Sequence, residues 1–329
     1  MSDNKLLRTE IACLYYMNGY SKTEIARITG FTRQTISVML DTAIRDGTVE
    51  IIIHERKGTE IELAASLKNT GLFKEVKVIP GKYGVSETSR KYLGRQTSEL
   101  LDSIMKPNCR LGIGKRKIIR LFAENYSGNK HQDCLIIPLS GETVFHENKL
   151  NTDNIDRILA EKMGANYTRL FAPVFSFSEE EFKSYYQSEE IRTVTEEWDH
   201  LDAAIFGLSD NLSISEKDSS IFKIFPREYM ELLRSKGAVG NTSWRHYDIH
   251  GNEVWDPSIQ YYPMSITLEQ LKKTKEKIVL AFGAHKIPSI CGAINGGLLD
   301  HLITDEPTGI ELLKALDNKH KHTSQEISS

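Results

Sequence analysis

SKTEIARITGFTRQTISVML, residues 21–40, holds two helix starts and one forced turn. Ser21 followed three residues later by Glu24 is a capping box, the signature of a helix N-terminus. Ile25, Ala26 and Ile28 then supply an inward face. Gly30 permits the left-handed residue that ends a helix, and Thr32 caps the next one. Ile36, Leu40, Ala43 and Ile44 recur at helical spacing as its core stripe, and Gly47 closes it. Two short amphipathic helices joined by a tight turn form the unit that lays its second helix in the major groove of DNA.

Upstream, Leu7, Ile11, Leu14 and Tyr15 put a third helix at about Lys5–Asn18, ended by Gly19. Downstream, Val49–Ile53 reads as a strand, a wing or lead-out. On the second helix of the pair, Arg33, Gln34, Ser37 and Asp41 lie opposite the apolar stripe. Arg33 can fork onto guanine and Gln34 can pair bidentately with adenine. Ser21, Thr32 and Thr35 stand at helix starts, where hydroxyls reach phosphates. These residues are the candidate DNA contacts. One copy per chain reads one half-site, so an oligomer is expected. Residues 1–57 carry eight Lys or Arg against seven Asp or Glu, a net of +1 within a chain of net charge -3. DNA contact must therefore come from placed residues rather than from bulk charge.

The chain has 329 residues, 40% hydrophobic and 26% charged, which suits two globular domains. The segments expected are a helix-turn-helix domain at 1–54, a linker or pairing helix at 55–70, an α/β domain at 71–316 and an unstructured polar tail at 317–329. The α/β expectation rests on short apolar strands alternating with helical patterns. Strands are predicted at 76–79, 111–113, 135–139, 167–171, 203–208, 244–249, 278–282 and 302–304. Helices are predicted at 86–106, 117–125, 153–163, 179–197, 227–235, 267–275, 288–295 and 306–316. That rhythm gives a largely parallel sheet, whose ligands bind beyond the carboxyl ends of the strands. Cys13, Cys109, Cys134 and Cys291 are scattered in apolar contexts and read as buried thiols. The N-terminus is no signal peptide and no apolar run spans a bilayer, so a cytoplasmic protein without membrane contact is expected.

Three loops carry candidate binding chemistry. Gly114-Lys115-Arg116-Lys117 lies between a strand and a helix, where N–H groups and cations suit an anion. Ser140-Gly141-Glu142-Thr143 follows an apolar strand and offers hydroxyls and glycine backbone, though Glu142 would repel a phosphate if turned inward. Lys286 precedes Pro288 at a helix start, where it can bind a phosphate or hydroxyls, or react with an aldehyde sugar. His246, Asp248 and His250 alternate along a predicted strand. They are read as a sugar-hydroxyl acceptor with polar neighbours in preference to a metal site. Trp198, Trp244 and Trp255 can stack on a sugar ring, with core packing the commoner role. No cofactor is called for.

The helix-turn-helix followed directly by GTVEIII resembles the SorC family of bacterial sugar-responsive transcriptional regulators. So do LGRQTSELL (93–101), LIIPLSGE (135–142), RLFAPVF (169–175), DAAIFGLS (202–209), GAVGNTSWRHYDIHG (237–251) and residues 277–313, in order and spacing, over roughly residues 5–316. The resemblance implies a Rossmann-like effector domain similar to sugar-phosphate isomerases, a tetramer, a phosphorylated sugar or polyol as effector, and operator DNA as partner. It implies effector contacts at Lys286 and Asp248. The chain departs from the family at 114–117, where small hydroxylated and glycine residues are usual, at Glu142, where a second glycine is usual, and at Leu208-Ser209-Asp210. An effector-controlled regulator, most often a repressor, is the leading expectation. The alternative is a sugar-phosphate isomerase or deaminase with an appended DNA-binding module, using Glu142 and Lys286 as its acid–base pair.

Overall fold

The computed structural model describes residues 2–49, 59–82, 87–142, 154–210 and 227–326. The chain divides into two compact units, Met1–Lys57 and Gly58–Ser329.

The first unit is helical. Helix α1, Ser2–Ala12, continues as a wider π turn over Cys13–Met17, and α2 (Lys22–Thr29) and α3 (Arg33–Arg45) follow. Ile11, Ala12, Ile25, Ile36, Leu40 and Ala43 make its buried core. Ile28 and Ile44, expected in that core, are exposed at 56% and 41%. A three-helix unit is too small to cover a wide apolar stripe, so only the residues at its centre are sealed. Most of the predicted strand at 49–53 lies outside the described residues.

The second unit is built on a seven-stranded sheet in which every pairing is parallel. Its strands are β1 (Glu75–Ile79), β2 (Arg110–Ile113), β3 (Leu135–Pro138), β4 (Asn166–Tyr167), β6 (Ala203–Gly207), β11 (Glu276–Leu280) and β12 (His301–Asp305). The spatial order is β1-β12-β11-β6-β2-β3-β4. Two small sheets add β5 (Phe175–Ser176) with β10 (Tyr262–Pro263), and β7 (Ser209–Asp210) with β8 (Gly240–Thr242) and β9 (Arg245–Tyr247). Alternate strand residues feed two cores, one on each face. Ala204, Phe206 and Val279 enter one, and Ala203, Ile205 and Ile278 the other.

The chain leaves β2 toward β3 in one direction and β6 toward β11 in the other. β2 and β6 are neighbours, so a crevice opens between them at their carboxyl ends. Gly114 allows this approach, because a Cβ there would stand 2.9 Å from the Cβ of Phe206.

Several elements differ from the sequence expectation. Thr59–Asn69, inside the segment read as a linker or pairing helix, buries Leu63 and Leu67 in the α/β core. The helix expected over 179–197 is two, Glu179–Tyr185 and Glu189–Glu196, because Ser178 and Ser188 each begin one. The final helix runs Glu306–Glu326, into the tail expected to be unstructured, since propagating an anchored helix needs no new nucleus. The strand expected at 244–249 is only Arg245–Tyr247, and that at 167–171 only Asn166–Tyr167. Among the described residues, no helix is long and apolar enough to cross a membrane.

Candidate functional site

The helix pair of the first unit presents a polar edge. Ser21 Oγ accepts from Glu24 N–H at 3.2 Å while Ser21 N–H donates to Glu24 Oε2 at 2.8 Å, closing the capping box. Those bonds hold the Glu24 carboxyl below its ordinary range. Gly30, at φ +75°, ends α2. Thr32 Oγ1 accepts from Thr35 N–H at 3.1 Å, so α3 starts with its direction fixed. Arg33 and Gln34, the first two residues of that helix, are exposed, and Ile36 and Leu40 anchor the opposite side. Ser37 Oγ accepts from Lys22 Nζ at 2.9 Å, a bond between the two helices that no local pattern announces. Ser37 and Thr32 thus also serve the frame that aims Arg33 and Gln34.

In the second unit, Gly114, Lys115, Arg116, Ser140, Phe206, Gly207, Thr242, Ser243 and Trp244 line a cleft at the β2–β6 switch point. Its free volume is about 30 Å³, room for a water molecule or two, so a sugar-sized ligand must open it.

Arg116 is the centre of the cleft's chemistry. Its two terminal nitrogens donate to Ser209 Oγ and Asn241 Oδ1, both neutral acceptors. Burial pushes the guanidinium down to about 10. Its charge adds to burial in pushing His246 down to about 3, so that imidazole is neutral. Burial and then the Arg116 charge also push Lys286 down to about 8, against the pull of Asp210 and Asp305. The Arg116 charge thus adds to the cost of charging Lys286. An anion between them relieves that cost.

Lys115 turns elsewhere. Its side chain is 4% exposed and its ammonium pairs with Glu142 Oε1. The second carboxylate oxygen, Glu142 Oε2, is buried without a hydrogen bond. Asp156 completes the group: burial raises its carboxyl, Lys115 opposes the rise, and Glu142 adds to it. The feared repulsion from Glu142 is thus answered by Lys115 within the same loop pair. Lys117 is exposed on the first turn of its helix, Lys117–Glu124, which has no side-chain cap.

The second loop is more structural than expected. Ser140 is buried. The Gly141 N–H donates to the Met264 carbonyl at 2.8 Å and so is not open to a phosphate. Gly141 is required by packing, since a Cβ would lie 2.5 Å from the Ala172 carbonyl. Thr143 lies outside the described residues.

Asp248 is engaged in its own turn. Its Oδ1 accepts from the N–H groups of His250 and Asn252, both at 2.9 Å, and Oδ2 from Asn252 Nδ2 at 3.2 Å. Burial would raise this carboxyl, but those bonds hold it below its ordinary range. The Asp248 carbonyl packs beside Gly292, six residues along the helix Ile287–Asn295 from Lys286, roughly 9 Å at helical rise. Because β9 ends at Tyr247, His246, Asp248 and His250 do not share a strand face. Among the described residues, no group of three or more His, Cys, Asp or Glu is arranged to hold a metal ion.

The tryptophans separate. Trp198 is a core residue whose indole N–H donates to the Pro138 carbonyl at 2.9 Å. Trp255 is half exposed, its N–H on the Tyr261 carbonyl at 3.4 Å. Trp244 lines the cleft. Ser243 and Trp244 have φ of +45° and +67°, the two central positions of the β8–β9 hairpin. A two-residue loop of type I′ has positive φ at both, a geometry that normally selects Asn-Gly. Holding Ser and Trp there stores strain beside the cleft.

A family model described as "Putative sugar-binding domain" matches residues 56–314. The sorbitol operon regulator of Klebsiella pneumoniae is 27% identical over 322 residues, covering 95% of this chain and 99% of that one. The transcriptional regulator LsrR of Escherichia coli K12 is 24% identical over 309 residues, 93% of each chain. The solved structure of the full-length Klebsiella regulator superposes with a TM-score of 0.72 at 24% identity, over 93% of this chain and 98% of that one. A DeoR-family transcriptional regulator from Listeria monocytogenes gives 0.67 at 26% identity, over 78% of this chain and all of the other.

Proposed function

The chain belongs to the SorC family of sugar-binding transcriptional regulators, and from that premise we propose that it switches an operator through a phosphorylated sugar or polyol bound at the Arg116 cleft. It is a DNA-binding regulator and not an enzyme: its relatives over nearly the whole chain are regulators, which removes the isomerase alternative.

The observation that carries the effector reading is the Arg116 guanidinium, bonded only to the neutral Ser209 and Asn241, in a crevice where parallel strands diverge. A guanidinium held by two neutral acceptors keeps donors and charge for an incoming oxyanion. The uncapped start of Lys117–Glu124 adds N–H groups and its dipole. In this reading Arg116 and Lys286 hold the phosphate, and Thr242, Ser243 and Trp244 meet the sugar. Lys115 and Glu142 hold the two loops together, and Asp248 shapes the turn that supports the helix after Lys286. Arg33 and Gln34 read bases, with Ser21, Thr32, Thr35 and Ser37 at the phosphate edge. The protein works in the cytoplasm as a tetramer, two or more half-site readers being set in register by the effector units. Effector binding shifts the population between arrangements that fit or miss the operator, with repression lost on binding.

The test is a thermal-shift screen of the full chain against sugar phosphates, polyol phosphates and the matching unphosphorylated compounds. A true effector at 100 times its Kd adds about 2.7 kcal/mol. Stabilisation by phosphorylated compounds alone supports the reading. Equal stabilisation by unphosphorylated sugars overturns it.

A further inference from the structure

Cys109 and Cys134 precede β2 and β3 immediately, and the register Arg110↔Leu135 places them side by side. The Leu135 N–H donates to the Cys109 carbonyl at 2.9 Å, and Cys134 Sγ–H points at that same carbonyl at 3.0 Å. Both thiols lie on the same face of the sheet, in one core cluster. Neighbouring strands run about 4.8 Å apart. That falls within the Cα separation of about 4.4–6.8 Å that a disulfide spans. The two turns are tied to each other as well, since Asn108, at φ +58°, donates its N–H to Asp133 Oδ2 at 3.0 Å. Cys13 belongs to the helical unit and Cys291 to the opposite face of the sheet, so neither competes.

We propose that Cys109 and Cys134 form an oxidisable dithiol, a modification site for hydrogen peroxide that closes to an intramolecular disulfide between β2 and β3. Cys109 is the attacking sulfur. The Cys134 proton is committed to the Cys109 carbonyl, which leaves Cys109 as the sulfur free to attack, and Lys275 adds positive charge nearby against the negative Asp202. Asp202 and Lys275, its charged neighbours, line a concavity of about 430 Å³ with Arg110 and His200 at the amino ends of the strands. Both thiols are buried and neither lines that concavity, so a small oxidant reaches Cys109 from there only as the turns before β2 and β3 open. The Cys109 thiolate attacks one peroxide oxygen, the O–O bond breaks, and the leaving hydroxide takes the thiol's proton as water, giving a sulfenic acid. The Cys134 sulfur then attacks Cys109 Sγ, and the sulfenic hydroxyl leaves with the Cys134 proton as a second water. The two sulfurs lose two electrons and one peroxide gains them. The bond joins the two strands whose far ends carry Gly114–Arg116 and Ser140–Glu142.

The test treats the folded full-length protein with graded hydrogen peroxide, denatures it, alkylates free thiols and maps the peptides. The expected result is a Cys109–Cys134 cross-linked peptide, two hydrogens lighter than the dithiol and opened by dithiothreitol. In Cys134→Ser, Cys109 should instead stop at a sulfenic acid that dimedone traps. Free, fully alkylated Cys109 and Cys134 after peroxide has oxidised Cys13 or Cys291 would overturn the proposal. So would a disulfide mapping to any other pair. The wild-type result decides on its own if the variant does not fold.

Discussion

Lys115→Met isolates the most consequential charge group in the effector unit. The variant keeps the length and apolar stem of Lys115 but leaves Glu142 and Asp156 facing each other without their cation. Breaking a buried pair from one side costs about 3–5 kcal/mol when both partners are sealed. Glu142 is 31% exposed, so water recovers part of that, and about 2 kcal/mol is expected. For a unit of this size that is a fall in Tm of about 4 °C by calorimetry. The pH dependence follows from the raised Asp156 carboxyl. A carboxyl whose folded pKa is raised destabilises the fold where it is charged and relieves it as pH falls through the raised value. Removing Lys115 raises it further, so the deficit of the variant should be largest near neutrality and shrink on acidification. Glu142→Gln in the Lys115→Met background removes one of the two opposed charges and should recover about half the loss. An unchanged Tm in Lys115→Met, or a double variant as unstable as the sum of the two singles, would refute the reasoning.

Five other outcomes are expected. Arg116→Leu should lower sugar-phosphate affinity by about 10–100-fold in calorimetric titration, as loss of a charge-assisted contact of about 1.5–3 kcal/mol requires, and leave DNA affinity unchanged. Lys286→Ala should abolish the ligand response while DNA binding persists. In the wild type, affinity for a phosphate monoester should fall as pH rises through about 8, because Lys286 loses its proton there while the ester is already dianionic. Arg33→Ala should cost about 1–3 kcal/mol in DNA affinity by fluorescence anisotropy, with effector affinity intact. Thr32→Ala should destabilise the helical unit by about 1 kcal/mol in chemical denaturation.

The helical unit was legible because its signals are local. Ser21 with Glu24, Gly30 and Thr32 sit within a dozen residues and each does in the fold what its spacing implies. The sheet was legible because buried parallel strands are short apolar runs. The cleft was less so. Arg116 meets Ser209 and Asn241 across 93 and 125 residues, a partnership that no local pattern encodes. Asp156 stands in the first turn of its helix, and only packing brings it to Lys115 and Glu142. Ser243-Trp244 resembles strand rather than turn because it lacks the Asn or Gly that its φ values normally select. At its other end the strand was read on to Ile249, which placed Asp248 on a sheet face, when its carboxylate is committed to a turn.

The central claim is that one ligand site governs one DNA reader. Duplexes selected by the full-length protein from a random pool, titrated by anisotropy with and without a stabilising sugar phosphate, test it directly. The compound should change DNA affinity at least tenfold in the wild type, and Lys286→Ala should bind the same duplex with no response. Equal DNA affinity with and without a compound that demonstrably binds the effector unit would contradict it.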